Sequence, residues 1–170
     1  MPDSWPAWDA DRGVAAIYQA HYRSLARIAA LLLGGDAAVA EEVVQDAFVS
    51  VYRASPRLRD ADEALGYLRQ AVVNMARVRS AVSSDPVGPP PGRTAAAHPA
   101  HDIAGSLLMA ALRGLPARQR EALVLKYYAD WPDSQIAAAM GIRRRALCAY
   151  LQRGMSTLQA FAAPNRGRHP

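Results

Sequence analysis

The sequence predicts an all-α protein made of two small helical domains joined by a flexible Pro/Gly/Ala-rich linker. Three observations carry that prediction. The apolar share, 51% of 170 residues, is dominated by Ala and Leu, strong helix formers, while aromatic residues reach only 7%. Apolar residues recur at spacings of three and four rather than two. Between the periodic stretches, residues 83–101 (SSDPVGPPPGRTAAAHPAH) concentrate Ser, Pro, Gly and Ala without any period, so they bury too little apolar surface to fold. The Pro-Pro-Pro run predicts a semi-rigid spacer that holds the flanking domains apart and leaves their orientation variable. The expected division is residues 1–82, a linker over 83–103, residues 104–163 and a tail over 164–170.

Upstream, Ile17, His21, Leu25, Ile28 and Leu32 form one stripe of a helix from about Arg12 to Leu33, stopped by Gly34-Gly35. Asp36 is placed to cap a second helix, which carries Glu41 and Glu42 near its positive end and is expected to bury Val43, Ala47, Phe48, Val51 and Tyr52. A third, from about Asp62 to Val82, shows a stripe of Leu65, Leu68, Val72, Met75 and Arg79 and a polar face of Arg69, Gln70, Asn74 and Arg77. Downstream, Leu108, Ala111, Leu112 and Leu115 mark a short helix ended before Pro116, which suits the first turn of the next. That helix, about Ala117 to Ala129, is expected to bury Leu123, Val124, Tyr127 and Tyr128. Two more follow, about Asp133 to Met140 and Arg143 to Phe161. Trp5, Trp8 and Trp131 are expected as cap and core residues.

Charge divides the chain. Residues 1–82 hold nine Arg against ten acids, whereas residues 104–170 hold nine Arg and Lys126 against only Glu121, Asp130 and Asp133. The second half therefore seeks polyanions and the first does not. Cys148 is the one cysteine, which excludes an intrachain disulfide and a cysteine-based zinc site; as a lone helix cysteine it is expected to pack. His21, His98, His101 and His169 fall in a core stripe, the linker and the tail, so no catalytic or metal constellation emerges and no cofactor is expected. No run approaches the roughly 18 apolar residues of a membrane span, and the first eight residues carry two acids, so a cytoplasmic protein is expected.

The stretch DSQIAAAMGIRRRALCAYLQRG has helix-turn-helix spacing: Ala137 is small where two helices cross, Gly141 can take the left-handed turn and Leu147 anchors the second helix. Ile136, Met140 and Ile142 complete its core. Arg143, Arg144 and Arg145 then stand at the end of the recognition helix that enters a major groove, where Arg bonds guanine bidentately and its neighbours grip phosphate. An ordinary helical hairpin with a solvated basic turn is the plainer alternative.

Two segments resemble a known family. From Tyr18 to Ala54, YQAHYRSLARIAALLLGGDAAVAEEVVQDAFVSVYRA resembles region 2 of the extracytoplasmic-function sigma factors of the sigma-70 family, with matches at Asp36, Ala40, Glu41, Val44, Gln45, Asp46, Phe48, Tyr52 and Arg53. The later ALRGLPARQREALVLKYYADWPDSQIAAAMGI resembles their region 4, with its Leu-Pro-x-x-x-Arg start. The resemblance implies a transcription initiation factor that acts without covalent chemistry. Glu41, Glu42, Gln45 and Asp46 would dock on core RNA polymerase. The loop SPRLRDADEALGYL, with Leu58 and Arg59, would pocket a base flipped from the -10 element beside Asn74, while Arg77 and Arg79 hold phosphate. Arg143, Arg144, Arg145 and Arg153 would read the -35 element. Promoter DNA and core polymerase are the implied partners, and an anti-sigma factor clamping both domains is a further one. Two departures stand out: SAVSSD follows Arg79 where the family often continues with basic residues, and Ala146-Leu147-Cys148-Ala149-Tyr150 replaces the family's Thr-Val-Lys-Ser-Arg. A sigma-like regulator without promoters of its own, and a conventional helix-turn-helix repressor, are the alternative readings.

Overall fold

The computed structural model describes residues 8–82 and 102–163; Trp5, the tail and the linker expected over 83–103 lie outside the described residues, except that positions 102 and 103 of that linker begin a helix. Helix α1 (Ala10–Leu32) starts at Asp9, whose carboxylate accepts from the Arg12 amide at 3.3 Å. It stops where Gly34 and Gly35 both turn left-handed, at φ 70° and 98°, letting the Gly35 amide donate to the Ala30 carbonyl at 2.7 Å. Helix α2 (Ala37–Ala54) is capped by Asp36, which accepts from the Val39 amide at 3.1 Å. After a 3-10 turn over Ser55–Arg57, helix α3 (Ala61–Val82) begins with two reciprocal bonds. Asp60 accepts from the Glu63 amide and Glu63 accepts from the Arg59 amide, both at 2.8 Å. The three helices bury Leu25, Val43, Val44, Ala47, Val51, Leu68, Val72 and Val73 almost completely.

The second group comprises α4 (Asp102–Arg113), α5 (Ala117–Leu123), α6 (Asp133–Met140) and α7 (Arg144–Ala162). Leu112, Leu115, Leu123, Val124, Leu125, Ile136, Met140 and Leu147 form its core. The expected single helix from Ala117 to Ala129 is corrected: α5 is α-helical only to Leu123 and winds on as a π-helical turn over Val124–Tyr128. A wider turn delays the inward face, so Leu125 goes fully inside while Tyr127 and Tyr128, expected in the core, are exposed. Tyr52 is also exposed rather than buried; it sits at the rim of α1 and α2 near Asp11, whose carboxylate raises its pKa. Cys148 is exposed and does not pack, and Leu108 is exposed at the outer side of α4. Trp131 is buried as expected.

The two groups also touch each other. Their buried residues form one continuous cluster, with α3 packed on α6 and α1 on both α5 and the π turn. The reason is that α1 and α3 have more apolar and arginine-bearing surface than α2 alone covers, and α5 with Trp131 covers the rest. Among the described residues there is no strand, and no helix is long and apolar enough to cross a membrane.

Candidate functional site

Residues 41, 42, 45 and 46 recur with helical period, so Glu41, Glu42, Gln45 and Asp46 share the exposed side of α2, opposite Val43, Val44 and Ala47. Arg79 reaches this stripe from α3: its Nη1 donates to Glu42 Oε2 at 3.1 Å and its Nη2 lies 3.6 Å from Asp46 Oδ2. The guanidinium of Arg79, expected on DNA phosphate, thus lies against the acidic surface in this structure. Glu41 and Gln45 make no side-chain bond among the described residues, leaving their polar groups free for a partner.

Beyond α2, Leu58 is half-buried against the core and Arg59 is exposed, pairing with Glu63 at 3.3 Å. Asn74 is exposed on α3, and its Oδ1 accepts from Arg77 Nη1 at 3.2 Å. Beside the loop opens a cleft of about 590 Å³ lined by Asp46, Ser50, Arg53, Arg57, Tyr67 and Met75, with the Ser50 and Tyr67 hydroxyls 3.3 Å apart. The combination of cationic side chains and an exposed aromatic ring is one that holds an unstacked nucleotide. Sequence reasoning missed Arg53, Arg57 and Tyr67 as a group because they are brought together only by the crossing of α2 and α3.

Gly141 adopts φ 64°, ψ 36°, and the turn closes with the Gly141 amide donating to Ala138 and the Ile142 amide to Ala137, at 3.1 and 3.0 Å. The expected helix-turn-helix is therefore formed, with Ile136, Met140 and Leu147 buried beneath it. Arg143, Arg144, Arg145 and Arg153 are all exposed on or just before α7. Only Arg144 approaches a carboxylate, Asp133 at 4.0 Å; the other three guanidinium groups have none among the described residues. Two contacts hold the unit on α5 and the π turn that follows it. Arg118 Nη1 donates to the Met140 carbonyl at 3.1 Å, and Lys126 Nζ donates to Asp133 Oδ1 at 2.6 Å. The latter bond holds the Asp133 carboxyl below its ordinary pKa and raises that of Lys126.

Arg77 is engaged within the chain. It meets Glu121 of α5 through a close Nη2–Oε1 contact and an Nε–Oε2 bond of 3.4 Å, at a point where the Glu121 side chain is only 7% exposed. Around it the seam is stitched by Arg120 Nη2 to Ser80 Oγ at 3.2 Å, by Arg113 Nε to the Gly34 carbonyl at 2.6 Å, and by Arg69 over the Trp131 ring at 5.4 Å. Burial lowers the pKa of both Arg69 and Arg120. Glu121, Arg113 and Trp131 were not legible as partners of the first domain, although Glu121 is one of only three acids in residues 104–170.

Helix-turn-helix geometry with exposed arginines at the start of its second helix defines the class, a DNA-binding protein. Residues 17–80 match the family model of Sigma-70 region 2, and residues 106–158 match that of Sigma-70, region 4. The search of curated proteins finds no match. Among solved structures, a chain from "Structure of CnrH in complex with the cytosolic domain of CnrY" superposes with TM-score 0.69 at 20% identity, covering 91% of this chain and 95% of that one. That likeness is one of fold. Together the two matched regions span most of the chain, which belongs to the sigma-70 family.

Proposed function

We propose that this chain binds core RNA polymerase through the exposed face of α2, reads the -10 and -35 promoter elements, and drives opening of the DNA by binding energy alone. In this reading Glu41, Glu42, Gln45 and Asp46 supply the polymerase contact. Leu58, Arg59 and Asn74 receive an unstacked base, with the neighbouring cleft of Arg53, Arg57 and Tyr67 as the space that repays its unstacking, a few kcal/mol. Arg77 and Arg79 serve phosphate once released from their carboxylates, and Arg143, Arg144, Arg145 and Arg153 meet the -35 duplex. The domain division proposed is that of the two matched regions with the Pro-rich segment between them.

The observation that carries the reading is the coexistence, in one chain, of an exposed acid-and-glutamine stripe on α2 and an exposed arginine cluster opening α7. Action beside polymerase places the protein in the cytoplasm. An anti-sigma protein is a proposed further partner, supported by the similar fold of CnrH, which was solved in complex with the cytosolic domain of CnrY.

The test is run-off transcription with core polymerase on a genomic promoter library, comparing wild type with Arg143→Ala, Arg145→Ala and Asn74→Ala. Discrete start sites are expected, and losing one arginine should relax -35 selection by about 1–3 kcal/mol. A second reading, a polymerase-bound regulator without promoters of its own, is favoured by the engagement of Arg77 and Arg79 with internal carboxylates. Core binding with no start sites would decide for it.

A further inference from the structure

We propose that the cleft between α1, α3 and the π turn is a binding site for a small phosphate-bearing ring compound of mononucleotide size. None of the residues assigned above to polymerase or promoter DNA lines this cleft, so the site stands or falls apart from the promoter reading.

The cleft has a volume of about 280 Å³, close to the roughly 300 Å³ at the lower end of small-molecule sites. Its polar lining is one-sided. His21, Arg27 and Arg69 supply nitrogen donors, Ser24 and Tyr128 supply hydroxyls, and no carboxylate lines it. The larger clefts differ in this respect: the one beside the 3-10 turn includes Asp46, and the groove between α1 and α2 includes Asp11. The side chains of His21, Arg27 and Arg69 make no hydrogen bond or ion pair among the described residues. Donors gathered around a cleft without an acceptor select an anion.

Arg69 shows why the anion is a phosphate. It is half-buried, and the loss of water lowers its pKa while Asp62, acting through space, offsets part of that effect. Its guanidinium carbon stands 5.4 Å from the centre of the Trp131 ring. A guanidinium held over a ring spends none of its N–H donors on the contact. Those donors form a planar fork that matches two phosphate oxygens. A desolvated cation short of a counterion gains most when an anion arrives, because the surroundings that penalise the lone charge also strengthen its pairing.

The ring is required by the rest of the lining. Phosphate alone would fill little of the volume and leave the exposed Tyr128 ring and the apolar side chains of Leu25, Ile28 and Leu65 uncovered. A base and its sugar would cover them, with the base stacked on an aromatic side chain. Helices α1 and α3 bring the cations, and the π turn with Trp131 brings the rings, so neither domain holds the site alone.

Isothermal titration calorimetry tests this on the full chain with AMP, GMP, CMP and UMP, with their nucleosides and with inorganic phosphate. At least one monophosphate should bind about tenfold or more tightly than its nucleoside and than phosphate. Arg27→Gln, Arg69→Gln and Tyr128→Leu should each weaken that binding about fivefold or more. Arg23→Gln removes the same charge from an exposed position of α1 outside the cleft, and Asn74→Ala alters the proposed -10 site; both should leave binding within about twofold of wild type. Arg27 is exposed and its side chain holds nothing else in place among the described residues, so Arg27→Gln should melt with wild type and its loss of binding cannot be a loss of fold. No saturable binding of any monophosphate up to roughly millimolar concentrations would overturn the site. So would phosphate binding as tightly as the nucleotides, or equal weakening by Arg23→Gln and Arg27→Gln. Binding weakened by Asn74→Ala and untouched by Arg27→Gln would put the nucleotide at the promoter site and overturn the proposal as well.

Discussion

Gly141 has no heavy atom within 4 Å of where a Cβ would stand, yet its φ is 64°. A side chain there would meet only backbone strain, so Gly141→Ala should cost about 1 kcal/mol of unfolding free energy, and Gly141→Asn less, because Asn tolerates the left-handed region. Equilibrium urea unfolding of the three proteins measures this; equal midpoints for Ala and Gly would refute it. This residue was legible in advance because a helix stop between two apolar stripes demands a left-handed residue. Arg77 was legible only as an exposed arginine on a polar face. Which anion it meets depends on Glu121, forty-four positions later, and no local pattern links them.

Helices were the best-read level. Asp36 and the Gly34-Gly35 stop fixed the turn between α1 and α2 from capping chemistry alone. Where the reading failed, at Tyr127 and Tyr128, an extra residue in the π turn changed the phase, and a periodic pattern cannot announce its own interruption. The Lys126–Asp133 bond ties that turn to α6 and is titratable. Asp133 is depressed in the fold, so its contribution is fully present above the ordinary aspartate value of 3.8 and is lost as pH falls through its lower folded value. Lys126 is raised, so its share is present below the ordinary 10.5 and is lost only as pH rises through the higher folded value. Between those limits the bond is constant. Thermal melts should show wild type above Asp133→Asn by a constant margin from about pH 5 to 9, shrinking as the solution is taken to about pH 3. A margin that widened on acidification would contradict the assignment.

At the scale of the whole molecule, the two domains share a core and are expected to unfold as one unit. Far-ultraviolet dichroism and tryptophan fluorescence should therefore report a single coincident transition in urea. Trp131 lies buried at the seam under Arg69. Its loss in Trp131→Ala should destabilise by about 3–5 kcal/mol and separate the transition into two, with region 2 the more resistant. Two transitions already present in wild type would show that the seam does not couple the domains. By itself the sequence determined the helices, their caps and stops, the helix-turn-helix and the acidic stripe of α2, because each is written within a few turns of one segment. Only the tertiary structure decided that the halves close on each other and that Arg77 and Arg79 spend their charge on Glu121, Glu42 and Asp46. Such pairings join polar groups far apart in the chain, and a polar residue reads the same in sequence whether it faces water, DNA or another part of its own fold.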